Sequence, residues 1–119
     1  MDSKFQQLKD SCEAYRKALS EVYKEYGHYI IAYMGATEWL LFWCFAQPVL
    51  RISDHGNTYI GNTILDLNFY DSFRKANEED IPRFFTALEL LGGKDEMEKV
   101  EEKIRKNIEA EEAINRDES

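Results

Sequence analysis

The chain has 119 residues, 44% of them hydrophobic and 13% aromatic, with 23 acids against 15 bases for a net charge of −8. That length holds one core and not two, and the apolar fraction excludes global disorder. The acidic balance disfavours a phosphate backbone as direct partner and favours a basic protein drawn in by charge, although mild acidity also serves solubility alone.

Ser3–Tyr26 reads as a long helix. Phe5, Leu8, Cys12, Tyr15, Leu19, Val22 and Tyr26 recur at alternating spacings of three and four, which puts them on one stripe. Ser3 with Gln6 fits a capping box, and Gly27 is a natural stop. Three heptads would also suit a coiled-coil seam, and so a homodimer. The two tyrosines and the cysteine pack less regularly than Leu and Ile, which favours docking on the chain's own domain.

From His28 to Gly61 the pattern changes to short apolar runs, Tyr29–Met34 and Glu38–Ala46, split by Gly35-Ala36. Val49–Ser53 and Thr58–Ile60 flank the turn signal Asp54-His55-Gly56-Asn57. This predicts an antiparallel meander of three to four strands. Within Trp39–Phe45 both alternate sets are apolar: Trp39, Leu41, Trp43, Phe45 on one face and Leu40, Phe42, Cys44 on the other. Such a strand is central and covered on both sides, and Pro48 belongs at a break or edge. The rival is a buried helix over Thr37–Gln47. Tyr29–Leu50 is also long enough to span a bilayer, but Glu38 near its middle would cost about 3 kcal/mol in lipid, so the segment is read as dry protein core.

Beyond Gly61, Thr63 and Asp66 predict a helix over Ile64–Ala76, with 65, 69, 73 and 76 on one face. Asp80 caps a second helix, Ile81–Leu91, with Pro82 in its permissive first turn. Gly92-Gly93 ends it, and Asp95 opens a third with apolar positions 97, 100, 104 and 108. From Glu109 the periodicity thins into a polar tail expected to fray. The expected fold class is therefore α+β in a single domain over 1–108: a long N-terminal helix, a central antiparallel β-meander and three C-terminal helices packing on the sheet.

No side-chain pattern marks a catalytic centre. Cys12 and Cys44 lack CxxC spacing and nearby histidines, so neither zinc nor a redox dithiol is indicated; both read as reduced and structural in a cytoplasmic protein, with no metal or other cofactor. The opening Met1–Asp10 is too polar for a signal peptide. His55 beside Asp54 is turn chemistry rather than a catalytic dyad, and His28 follows the helix stop, where it can meet terminal carbonyls. Glu38 would be an acid if buried, or the partner of a base such as Arg51, but reads as a strand start with its head in water. No GxSxG elbow or phosphate loop occurs.

The acids are spread through the chain: residues 94–119 carry ten acids and six bases, and residues 1–93 thirteen and nine. Interleaved Lys and Arg make the last helix a salt-laced one. The sharper reading is an acidic rim, Glu78, Glu79 and Asp80, around exposed rings, Tyr23, Tyr59, Tyr70 and Phe84. That arrangement would anchor a basic protein. The leading expectation is thus a small, non-enzymatic, protein-binding module of the inhibitor, immunity-protein or antitoxin kind. The alternatives are a DNA mimic and a small-ligand or enzymatic domain with an aromatic pocket.

Overall fold

Thr37–Cys44 is apolar on both alternate sets, so it can be stable only as an inner strand with a layer against each face. In the computed structural model, which describes residues 3–45, 47–60 and 67–118, this segment is strand β2 of a five-stranded antiparallel sheet. In chain order the elements are α1 (Ser3–Tyr26), β1 (Tyr29–Met34), β2, β3 (Gln47–Ser53), β4 (Thr58–Ile60), a 3-10 turn at Leu67–Phe69, β5 (Ser72–Lys75) and α2 (Asp80–Glu118). The sheet order is β4-β3-β2-β1-β5, so the expected meander supplies four strands and a later strand adds to its far edge.

Register places Ile31 opposite Leu40 and Leu40 opposite Ile52, and Ile30 opposite Leu41. On one face Ile31, Leu40, Phe42, Cys44, Leu50 and Ile52 meet Phe84, Leu88, Val100 and Ile104 of α2. On the other, Ile30, Ala32, Trp39, Leu41 and Trp43 meet Leu19 of α1 and Tyr70, with Tyr15, Tyr23 and Tyr26 packed around them. The doubly covered strand is therefore as expected, except for Phe45. That residue lies beyond the strand end, exposed, with a left-handed φ of 56°. Pro48 is the second residue of β3, ahead of the Leu50–Ile52 part that pairs with β4 and beside the register shift at Phe42/Trp43, a break that tolerates a residue without an N–H.

Only half of the α1 stripe docks. Leu19 is buried, while Phe5 and Leu8 are 67% and 60% exposed and Cys12 is exposed rather than packed. Gly27 stops the helix as expected, with φ 78° and its N–H donated to the Tyr23 carbonyl at 2.8 Å. Both cysteines are free thiols.

Among the described residues two α-helices, not four, flank the sheet. The helix expected over Ile64–Ala76 is absent from its described part: residues 61–66, with the expected caps Thr63 and Asp66, lie outside the described residues, and the rest is the 3-10 turn and β5. The reason is pairing. β1 has β2 on one side, and its other edge would leave a row of backbone donors and acceptors unused. β5 fills that edge, Ala32 opposite Phe73 and Ile31 opposite Arg74, which outweighs a weak amphipathic pattern interrupted by Asn68 and Asp71. The helices expected at Ile81–Leu91 and from Asp95 are one element, α2, broken at Gly93 (φ 87°, ψ 172°). It continues to Glu118 through the stretch that thins out in sequence.

Tyr29–Leu50, long enough for a bilayer as a helix, is instead β1, β2 and much of β3, and among the described residues no helix is long and apolar enough to cross a membrane.

The β3–β4 turn touches α2 through a glycine. Gly56 has φ +93°, and a Cβ there would collide with the Ala87 carbonyl oxygen and lie 2.9 Å from Leu91 Cβ. Gly35, in the β1–β2 turn at φ +60°, has nothing within 4 Å. Gly35→Ala is therefore expected to lose about 1 kcal/mol from backbone strain, and Gly56→Ala about 2–4 kcal/mol, because overpacking adds to the strain. Urea unfolding of both variants checks this; equal losses would mean the turn does not abut α2.

Candidate functional site

The seven residues expected to bind a partner do not form one surface. Phe84 is fully buried in the α2-facing core, and Tyr70 is buried on the opposite face, its hydroxyl accepting from Arg51 Nη1 at 2.7 Å. Tyr23 is half-buried and donates to Glu111. Tyr59 is exposed at the sheet edge but stacked on Arg51, whose Cζ lies 4.4 Å from its ring centre. Glu78 and Glu79 are exposed in the turn before α2. Asp80 is buried, as the hub of an ion network. An acidic rim around Tyr70 and Phe84 is thus ruled out by their burial. Sequence alone could not separate them from Tyr59, since a large ring serves core and surface equally well.

Asp80 binds Arg74 through two hydrogen bonds, 2.8 and 3.0 Å, Arg83 at 3.2 Å and the Asn77 N–H at 2.7 Å. Arg83 also grips Glu38 at 3.1 and 3.3 Å, and Arg74 Nε donates to the Tyr33 hydroxyl at 2.6 Å. The network joins β5, β1, β2 and the start of α2. Arg74 foremost, against the opposing effect of burial, holds the Asp80 carboxyl well below the usual carboxylate range. Glu38 does stand at the start of β2, but its half-buried carboxylate is held by Arg83 and Arg74 and is not paired with Arg51. Register puts Arg51 on the other face of the sheet, where its guanidinium lies over the rings of Trp39 and Tyr59 at 4.8 and 4.4 Å.

At the far end of β2 a second carboxylate from α2 gathers polar groups. Glu111 accepts from the Tyr23 hydroxyl, from the Phe45 N–H at 2.7 Å and from the Cys44 thiol at 3.4 Å, and His28 Nε2 lies 3.6 Å away. Burial would raise its pKa, but these donors together hold it below the ordinary value. A Cys, a His and a Glu thus lie side by side, but not as a thiol paired with an imidazole. The thiol is pushed up to about 12 by burial and by Glu111, and it points at the Asn107 carbonyl and at Glu111 rather than at His28. His28 Nδ1–H donates to the Trp43 carbonyl at 2.8 Å, so it meets a terminal carbonyl, but of β2 and not of the helix. His55 lies in the β3–β4 turn, 3.4 Å from Asp54, while Ser53 Oγ accepts the His55 and Asn57 amides. Glu38, His28 and His55 therefore occupy three separate settings. Glu111 was legible in one respect: it continues the 97, 100, 104, 108 stripe, and an acid on an apolar stripe signals a buried partner.

An apolar groove of about 540 Å³ lies between the two arms of α2, beside Tyr29 at the start of β1. Its floor and walls are Tyr29, Ile81, Pro82, Phe85, Ile104 and Ile108, and its rim carries Glu101, Arg105 and Glu109. Arg105 is bound to Glu102 at 2.7 Å and Glu109 at 2.9 Å, so acid exceeds base along that side. The groove exists because Gly93 breaks α2: both arms lie on one face of the sheet, with Phe84 and Leu88 from the first and Val100 and Ile104 from the second. The second surface is the outer half of α1, where Phe5, Leu8 and Cys12 form an apolar stripe exposed among the described residues, beside Lys9, Glu13 and Arg16. Among the described residues no group of three or more His, Cys, Asp or Glu could hold a metal ion.

No protein-family model, curated protein or solved structure matches this chain.

The Asp80 hub sets an acid limit on the fold. Its folded pKa lies below its unfolded value of 3.8, so its contribution is complete above that value and disappears as pH falls toward the folded one. Asp80→Asn is expected to lose about 3 kcal/mol at neutral pH. The gap from wild type should stay constant above about pH 5 and narrow below about pH 4. Denaturant titrations across pH 2–7 check this; a gap that widens in acid would remove the hub from its role.

Proposed function

We propose that the domain is a protein-binding module that receives a basic-flanked apolar segment of another polypeptide in the α2 groove. The observation that carries this is the groove itself: aliphatic and aromatic walls of about the span of two helical turns, with Glu101 and Glu109 on the rim. Apolar walls supply affinity and rim carboxylates select the charge of what enters. The reading keeps the basic partner suggested by composition and moves its contact from the Tyr and Phe set to Tyr29, Phe85, Ile104 and Ile108. An inhibitor or antitoxin would use such a site, and a cytoplasmic setting suits two free thiols.

The DNA-mimic alternative has less support, because the last arm's acids pair with bases: Glu98 with Lys94, Glu102 with Arg105 and Lys106, Glu109 with Arg105. An enzymatic alternative has none from the Cys44–His28–Glu111 grouping, whose thiol stays protonated.

Two synthetic amphipathic helices with identical leucine faces, one flanked by lysine and one by glutamate, make the test. In titration calorimetry the lysine peptide is expected to bind at least about tenfold more tightly, with NMR shifts centred on Ile81, Ile104 and Ile108. In the double variant Glu101→Lys/Glu109→Lys the preference should reverse. Equal binding of the two peptides would refute charge selection, and no binding of either would refute the groove as a docking site.

A further inference from the structure

We infer that the segment the groove receives is the projecting half of α1 from a second copy of this chain, so that copies join head to tail. This rests on the groove being a docking site for a basic-flanked apolar segment.

Three observations converge on that occupant. The stripe is a ready-made ligand: Phe5, Leu8 and Cys12 stand at i, i+3 and i+7, the anchor spacing of a helix that lies in a groove, and the first two are 67% and 60% exposed. Its length fits: from Phe5 to Cys12 is about 10 Å of helix, and the groove wall from Glu101 to Glu109 is about 12 Å. Its charge is opposite to the rim. In this acidic chain residues 4–17 hold four bases, Lys4, Lys9, Arg16 and Lys17, against two acids, Asp10 and Glu13. Lys9 and Arg16 outnumber Glu13 beside the stripe, as Glu101 and Glu109 outnumber Arg105 beside the groove.

Two other ways of covering the stripe are disfavoured by the same geometry. In a stripe-to-stripe pair of copies, Lys9 and Arg16 would flank both sides of the seam and repel. Docking of α1 into its own groove is blocked by the sheet, because α1 packs on the Trp39–Leu41–Trp43 face and the groove lies on the Phe42–Cys44 face with α2. The contact therefore links unlike surfaces of two copies, and such contacts propagate rather than stop at two.

Sedimentation equilibrium of the full chain tests this with two variants at exposed positions, Leu8→Glu for the stripe and Glu101→Lys/Glu109→Lys for the groove. Wild type should grow with concentration from 14.0 kDa past the mass of a dimer, and each variant alone should remain a monomer. Mixed one to one, the variants should form a dimer and nothing larger, since one keeps only a groove and the other only a stripe. A wild type that stays at one chain's mass up to about 1 mM overturns the inference. So does a wild-type dimer abolished by Leu8→Glu but untouched by the groove variant. If wild type is monomeric while the lysine-flanked peptide still binds, self-docking fails and the groove reading survives; if the peptide also fails, both fall.

Discussion

The structure depends on one strand that has no wet side. In β2, Trp39, Leu41 and Trp43 point one way and Leu40, Phe42 and Cys44 the other, and all six are buried. Each buried large side chain stabilises the fold by about 1.5–3 kcal/mol relative to exposure, so leaving either face open would remove the greater part of a small domain's stability. One helix cannot lie on both sides of a sheet. Hence α1 covers one face and α2 the other, and the chain must place helices at both ends of the meander.

Covering the second face asks more of α2 than a straight rod can give. Phe84 and Leu88 precede the break at Gly93, while Val100 and Ile104 follow it, and all four reach the same cluster. The break lets both arms lie on the sheet, and the angle between them leaves the apolar groove. Two carboxylates then hold α2 at its ends: Asp80 through Arg74 and Arg83 toward Glu38 near the start of β2, and Glu111 through Cys44 and Phe45 at its finish. Both are held ionised by donors collected from other elements. The polar groups most suggestive of catalysis are in this way absorbed in fastening one helix to one strand.

With those groups accounted for, two exposed apolar features stand out, the groove and the outer stripe of α1. Acids are in excess beside the first and bases beside the second, and that pairing underlies the proposal of association with polypeptide.

The sequence by itself determined whatever rests on near neighbours or on an unambiguous period. α1 from Ser3 to Tyr26, the stop at Gly27 and the turn at Asp54-His55-Gly56-Asn57 follow from spacing and glycine, which act over a few residues. Residues 39–44, apolar throughout, fit strand and buried helix alike until β1 and β3 pair with them. Tertiary structure decided what depends on a distant partner. Ser72–Lys75 became a strand because β1 had an open edge, a need invisible within its own residues. Phe84 and Tyr70 went inside while Phe5 and Leu8 stayed out, though composition ranks all four alike, because burial is set by where the sheet ends and not by the side chain. The groove could not be read at all: Tyr29, Ile81 and Ile108 are far apart in sequence, and only the break at Gly93, folded against the sheet, brings them to one wall.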